Sequence, residues 1–138
     1  MNSEEEKSEF EAGAVVLDAS AVGAVIFDEP GSLSVLSHLP HGIISTVNIS
    51  EIAAKAMSRG GEPAAVWSMI SRFALRVLPF DEDHAYRAAA LCPTTQGKGL
   101  SFADRACIAV ACSIGRPVLT ADRKWAELSL PVEVRLIR

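Results

Sequence analysis

At 138 residues and 49% hydrophobic content, the chain is long enough to bury one core without disulfides or a structural metal, which excludes a cystine-stapled miniature. No apolar run approaches the roughly 18 residues that span a bilayer, and the start is acidic, unlike a secretory leader, so the expectation is a cytoplasmic protein with no membrane partner. The formal charge of −4 resides entirely in residues 1–13, where Glu4, Glu5, Glu6, Glu9 and Glu11 outnumber Lys7.

Residues 1–13 read as a disordered acidic extension, and 14–138 as a single domain. Ala14-Val15-Val16-Leu17 is a continuous apolar run, the pattern of a strand buried on both faces, and Asp18 ends it. Ala19 to Phe27 has helical composition and stops before Asp28-Glu29-Pro30-Gly31; Ser32 is placed to cap a short helix through Leu39. After a turn at Pro40 to Gly42, Ile43-Ile44-Ser45-Thr46 makes a second strand. Asn48 then opens a helix that carries Glu51 and ends near Arg59, where Gly60-Gly61 breaks it. Pro63 suits the first turn of the next helix, with Val66, Met69, Ile70 and Phe73 at helical spacing, so the two helices form a hairpin.

Val77 to Phe80 reads as a third strand, and Asp81 caps a helix to about Cys92, followed by a polar loop from Thr94 to Gly99. Phe102 to Ile114 is apolar nearly all round and belongs inside the domain, with Asp104 in its first turn. Gly115 fits the position past its end and Pro117 blocks continuation. Val118-Leu119-Thr120 is a short strand that delivers Asp122, Arg123 to Leu128 a single helical turn, and Val132 to Ile137 the last strand. Strands alternating with helices favour an α/β domain with a largely parallel sheet covered on both faces.

Cys92, Cys107 and Cys112 are an odd number, which argues against a disulfide framework. Cys107 and Cys112 point about 140° apart on a helix, and all three read as small core residues. His38, His41 and His84 show no zinc spacing with them.

Four carboxylates occupy equivalent places. Asp18 and Asp122 follow strands, while Glu51 and Asp104 stand three residues after Asn48 and Ser101. Helix capping accounts for each singly, and Glu51 also pairs by spacing with Lys55. Jointly, all four map to one edge of the same sheet, where like charges repel unless protons or cations intervene. Oxygen ligands without histidine or thiolate favour Mg2+ or Mn2+, which can activate a water and stabilise charge on a phosphate oxygen. Ser101 and Thr120 lie close enough in sequence to orient ligands or water, against the plainer roles of helix cap and strand packing. With four carboxylates committed to metal, the rest of residues 14–138 would be +4, compatible with a polyanionic partner.

Val-Leu-Asp18-Ala-Ser, Val-Asn-Ile-Ser-Glu51, Leu-Ser-Phe-Ala-Asp104-Arg and Leu-Thr-Ala-Asp122, in that order, resemble the PIN-domain nucleases, specifically the VapC toxins of VapBC toxin–antitoxin pairs. The resemblance covers roughly Val15 to Ile137. It implies a five-stranded parallel sheet, Mg2+- or Mn2+-dependent endonuclease action on RNA, Asp18, Glu51, Asp104 and Asp122 as metal-binding acids with Asp122 the most peripheral, a homodimer, and inhibition by a VapB-like antitoxin. The acidic extension departs from the family pattern, in which the first strand starts almost at the N-terminus. Two other classes compete. A phosphoacceptor receiver also places carboxylates at strand ends, but carries adjacent acids near its first strand, where here Asp18 stands alone. A non-catalytic PIN-like binding module would be expected to have lost a site carboxylate.

Arg105, Arg123 and Lys124 flank the site and are candidate phosphate contacts, which Arg59, Arg72 and Arg76 would extend. No base-stacking platform is read, because Trp67, Phe73, Phe80 and Tyr86 fit core positions and only Trp125 lies near a site residue. Trp67 lies off the face of Val66, Ile70 and Phe73, and is the candidate antitoxin contact.

Overall fold

The computed structural model describes residues 10–138. Five strands, β1 (Val15–Leu17), β2 (Gly42–Ser45), β3 (Arg76–Leu78), β4 (Val118–Thr120) and β5 (Val134–Leu136), form one sheet in the order β3-β2-β1-β4-β5. Every neighbouring pair is parallel, with Val16 opposite both Ile43 and Val118. The chain builds outward from β1 to β3, then returns to the other side of β1 for β4 and β5. That reversal leaves a crevice at the C-terminal ends of β1 and β4, the place where open α/β sheets bind ligands.

Seven helices cover the sheet among the described residues: α1 (Ala19–Ile26), α2 (Ser32–His38), α3 (Thr46–Ser58), α4 (Pro63–Arg72), α5 (Glu82–Ala90), α6 (Cys92–Thr95) and α7 (Phe102–Ile114). Because side chains alternate along a strand, the three central strands feed two cores. Val16, Ile43 and Val118 pack with Cys107, Ile108, Val110 and Ala111 of α7 and with Trp125. Val15, Leu17, Ile44 and Leu119 pack on the opposite face with Val22 of α1, Val35 of α2 and Ile52 of α3. Strands buried on both sides carry no polar alternation, as the apolar run before Asp18 predicts.

Helix α7 has the bounds its sequence predicts, capped by Ser101 at its start and by Gly115 at φ 65° at its end. Elsewhere local chemistry shifts the boundaries. Ser45, not Asn48, caps α3: its hydroxyl accepts from the Val47 amide at 3.2 Å, so the helix starts two residues before Asn48. Gly31, at φ 94°, caps α2 in place of Ser32; a Cβ there would lie 2.4 Å from the Ile137 carbonyl oxygen, so the close approach of the C-terminal segment requires glycine. The expected loop after Cys92 begins instead with α6. Cys92 is exposed and Cys112 half-buried, so only Cys107 is a core cysteine. Trp67 and Tyr86 are not core residues either, at 56% and 70% exposed.

Residues 1–9 of the expected acidic extension lie outside the described residues. Those that follow are held at the sheet edge opposite the carboxylates. Glu11 contacts His41 at 2.7 Å, the Arg76 guanidinium lies 4.4 Å from the Phe10 ring centroid, and Arg116 donates to the carbonyls of Ala12 and Ala14. No described helix is long and apolar enough to cross a membrane.

Candidate active site

In parallel βα units the strand C-termini and the following helix N-termini share an edge, and this places Asp18, Glu51, Asp104 and Asp122. Asp18 ends β1 and Asp122 follows β4. Glu51 sits in the second turn of α3 and Asp104 in the first turn of α7. Charge couples them: Asp18 feels the charges of Asp104 and Glu51, Glu51 that of Asp104, and Asp104 that of Asp122.

Asp18 is the deepest, at 3% exposed. It stands at the start of α1, yet its side chain makes no capping bond. Its Oδ2 accepts from Ser20 Oγ at 2.6 Å and from Thr120 Oγ1 at 2.9 Å, whereas Oδ1 is buried with no partner. The two hydroxyls in turn accept the amides of Ala121 and Asp122, both at 3.0 Å, so the ends of β1 and β4 are tied across the crevice. Burial drives the Asp18 carboxyl up to about 7 against the pull of these hydroxyls, and the charges of Asp104 and Glu51 push the same way. Thr120 thus touches a site carboxylate. Ser20 does the same and is missed by the sequence reading; its signal was the Asp-x-Ser spacing across a strand end.

Burial also raises Glu51, assisted by Asp104 and opposed by Asn48 and Lys55. Glu51 closes no capping box, because α3 starts at Thr46. Asp104 does: the Ser101 amide donates to its Oδ2 at 2.8 Å, and the Asp104 amide donates to Ser101 Oγ at 3.2 Å. Burial nonetheless raises Asp104 from its ordinary value, with Asp122 adding to the rise while the Ser101 bonds and the Lys124 charge oppose it. Asp122 caps the 3-10 turn Arg123–Glu127, accepting from the Lys124 amide at 3.0 Å.

Among the described residues, the one group of three potential metal ligands whose ligand atoms all lie within 4.8 Å of one another is Asp81, Asp83 and His84 at the start of α5; the four sheet-edge acids are more widely spaced. All three are already engaged. Asp81 and His84 close a capping box, His84 Nε2 meets Ser113 Oγ at 3.2 Å, and Asp83 pairs with Arg87 at 2.8 Å. By contrast, the unpartnered Asp18 oxygen and three neighbouring carboxylates are a hard, all-oxygen donor set with an unmet demand for positive charge, and they fit a divalent cation.

Lys124 reaches this edge, with Nζ 3.7 Å from Asp122 Oδ2 and 3.3 Å from the Gly99 carbonyl. Arg105, half-buried, donates to the Leu100 carbonyl at 3.3 Å, and Arg123 is exposed beside Lys124. Arg59 and Arg76 do not extend this surface. Arg59 follows the C-terminal end of α3, where its guanidinium lies 4.1 Å from the Phe27 ring centroid, and Arg76 begins β3 at the opposite sheet edge. One exposed ring stands on the helix that carries Asp104. Phe102, 52% exposed at the first position of α7, packs edge-on against Phe80 with centroids 5.6 Å apart. Trp125 is fully buried in the core.

The model of the PIN domain family matches residues 15–130. The chain belongs to the PIN domain family. PIN domains are nucleases, hydrolases acting on nucleic acid, and use divalent metals. Membership removes the receiver alternative. Among solved structures, this PIN domain is similar to a chain of DNA-bound VapBC from Salmonella typhimurium, with 17% identity, 91% of this chain and 98% of that chain covered, and a TM-score of 0.71. It is similar to a chain of FitAcB from Neisseria gonorrhoeae at 20% identity, with 87% and 95% covered and a TM-score of 0.63. It is also similar to a chain of VapBC-5 from Mycobacterium tuberculosis, a member of the VapBC family of toxin–antitoxin systems, at 25% identity, with 91% and 98% covered and a TM-score of 0.59. No curated protein sequence matches.

Proposed function

We propose that this PIN domain is a Mg2+- or Mn2+-dependent endoribonuclease, the toxin of a toxin–antitoxin pair, with Asp18, Glu51, Asp104 and Asp122 as its metal-holding acids. The observation that carries the reading is the buried Asp18 oxygen with no protein partner, set among carboxylates that raise one another's proton affinity. A divalent cation bound there supplies an activated water and stabilises charge developing on a phosphate oxygen. The chain's own groups prepare the site. Ser20 and Thr120 fix the Asp18 rotamer, Ser101 fixes Asp104, and Lys124 with Arg105 and Arg123 offers positive charge to a nucleic-acid backbone. The non-catalytic alternative is disfavoured because no site carboxylate is missing.

The first test reads the product ends. Water, not the RNA 2′-hydroxyl, is the nucleophile in this chemistry, so purified protein with Mn2+ is expected to leave 5′-phosphate and 3′-hydroxyl termini. A 2′-deoxy substitution at the cut site should still permit cleavage. Cyclic 2′,3′-phosphate termini in a contaminant-free assay would refute the mechanism.

Structurally similar chains come from VapBC and FitAcB structures, and a VapB-like antitoxin is the proposed partner here. Its proposed seat is an apolar groove of about 480 Å³ between α3 and α4, lined by Ile49, Ala53, Met57, Trp67, Ile70 and Val77. The ~30-fold loss typical of removing an aromatic anchor is expected for Trp67→Ala in antitoxin affinity, with nuclease activity and homodimerisation retained. Isothermal titration beside light scattering checks this. Unchanged affinity removes Trp67 from the interface, and loss of the dimer assigns the groove to a second copy.

A further inference from the structure

With Ser45 taking the cap, Asn48 is released from the role its sequence position suggests and becomes the third residue of α3, completely buried. Its carboxamide bridges two elements of the site. Nδ2 donates to the Ala103 carbonyl in the first turn of α7 at 3.0 Å and lies 3.5 Å from Glu51 Oε1. The Ala103 carbonyl can only accept, so the amide nitrogen must face it, and turning the group over would oppose two oxygens. The orientation leaves Asn48 Oδ1 buried with no donor.

Three buried side-chain polar atoms lack a partner among the described residues, and Trp125 Nε1 is the only nitrogen among them. The two oxygens are Asp18 Oδ1 and Asn48 Oδ1; Asn48 reaches Glu51 by hydrogen bond, and the charge of Glu51 acts on Asp18. A buried acceptor without a donor destabilises a fold, and leucine, of similar size, would remove it. The Ala103 carbonyl does not depend on Asn48 either, since a helical carbonyl already accepts from the amide four residues on. Stability therefore gives little reason for asparagine at this position, whereas a hydrated cation does.

We propose that Asn48 is a positioning residue of the cation site: Nδ2 holds Glu51 against the turn of α7 that carries Asp104, and Oδ1, the acceptor left without a donor, would take a hydrogen bond from the water a bound Mg2+ or Mn2+ retains. The proposal rests on the metal-dependent reading above. It separates metal binding from folding. In EDTA, Asn48→Leu is expected to melt at the same temperature as the parent chain or higher. Its Mn2+ affinity, measured by isothermal titration, should fall about 10- to 100-fold, the range seen when outer partners of metal ligands are removed. Asn48→Ala leaves a cavity and should melt lower, yet lose Mn2+ affinity by a similar factor. Parent-like Mn2+ affinity in either folded variant overturns the proposal, and so does a lowered melting temperature in EDTA for Asn48→Leu with unchanged affinity, the pattern of a purely structural residue. A parent chain that binds no Mn2+ would instead overturn the metal-site reading itself, a separate outcome.

Discussion

Asp18→Asn is expected to melt above the parent chain at pH 8 in EDTA, and below it once Mn2+ is added. The Asp18 carboxyl sits near 7 in the folded protein because it is buried, with Asp104 and Glu51 adding to the rise, against 3.8 when solvated. Between about pH 4 and pH 7 the folded state therefore holds a proton that the unfolded chain has released. Stability falls as pH rises through that window and levels off above it. At roughly 1.4 kcal/mol per unit, the full loss is of the order of 4 kcal/mol, or about 15 °C in melting temperature for a chain of this size. Asparagine carries no titrating proton and keeps an oxygen for the Ser20 and Thr120 hydroxyls, so the slope should largely disappear. A cation replaces the missing proton only in the parent chain. Melting curves at pH 5 to 8, with EDTA and with Mn2+, read all of this. A parent chain whose EDTA melting temperature does not move relative to Asp18→Asn across that range would show that the carboxyl titrates as an ordinary surface acid.

The second large effect belongs to Asp104, which has two occupations. Its Oδ2 closes the capping box with the Ser101 amide, while the charges of Asp122, Asp18 and Glu51 surround it. Asp104→Asn preserves an acceptor for the cap and removes one of the repelling charges. The expected outcome is an equal or higher melting temperature in EDTA, a much smaller rise on adding Mn2+, and RNA cleavage below detection. A cation at a hundredfold excess over its Kd stabilises by about 2.7 kcal/mol, and weaker binding diminishes that increment directly. Ser101→Ala supplies the contrast. It removes a hydroxyl that accepts from the Asp104 amide and also bonds its side chain, but leaves the Ser101 amide on Asp104 Oδ2, so it should cost about 1 kcal/mol with or without metal and leave cleavage within a few fold. If instead Asp104→Asn loses about 0.3 to 1 kcal/mol in EDTA, gains as much as the parent from Mn2+ and still cuts RNA, Asp104 is a helix-terminal residue and nothing more.

The sequence made the common edge legible because it follows from direction alone: every strand that runs into a helix without a hairpin is parallel to its neighbours, and acids at strand ends and helix starts must meet. Helix α7 was legible to the residue because Ser101 and Gly115 mark both its ends. Asn48 was not, since Ser45 and Asn48 are both good caps and only the tertiary position of β2 decides between them. Arg76 directly precedes the strand expected from Val77, so its place at the opposite sheet edge was already implied by that strand, which its pairing with Ile43 extends by one residue. The polar stretch from Thr94 to Gly99 reads as loop throughout, yet proline is tolerated in a first turn and α6 (Cys92–Thr95) takes in its first two residues. Ser20 and Thr120 meet at Asp18 across a hundred residues of chain, a contact that composition and periodicity do not encode.

The pair of hydroxyls on Asp18 Oδ2 also makes the carboxylate observable from a distance. Ser20 and Thr120 each donate to that oxygen and each accept a backbone amide, from Ala121 and Asp122 respectively. Hydrogen bonds in such a chain polarise one another, so a change of charge at Asp18 alters how strongly both amide protons are drawn. In a 15N-labelled sample the amide resonances of Ala121 and Asp122 would shift together as Asp18 ionises, reporting its charge through bonds that belong wholly to the protein.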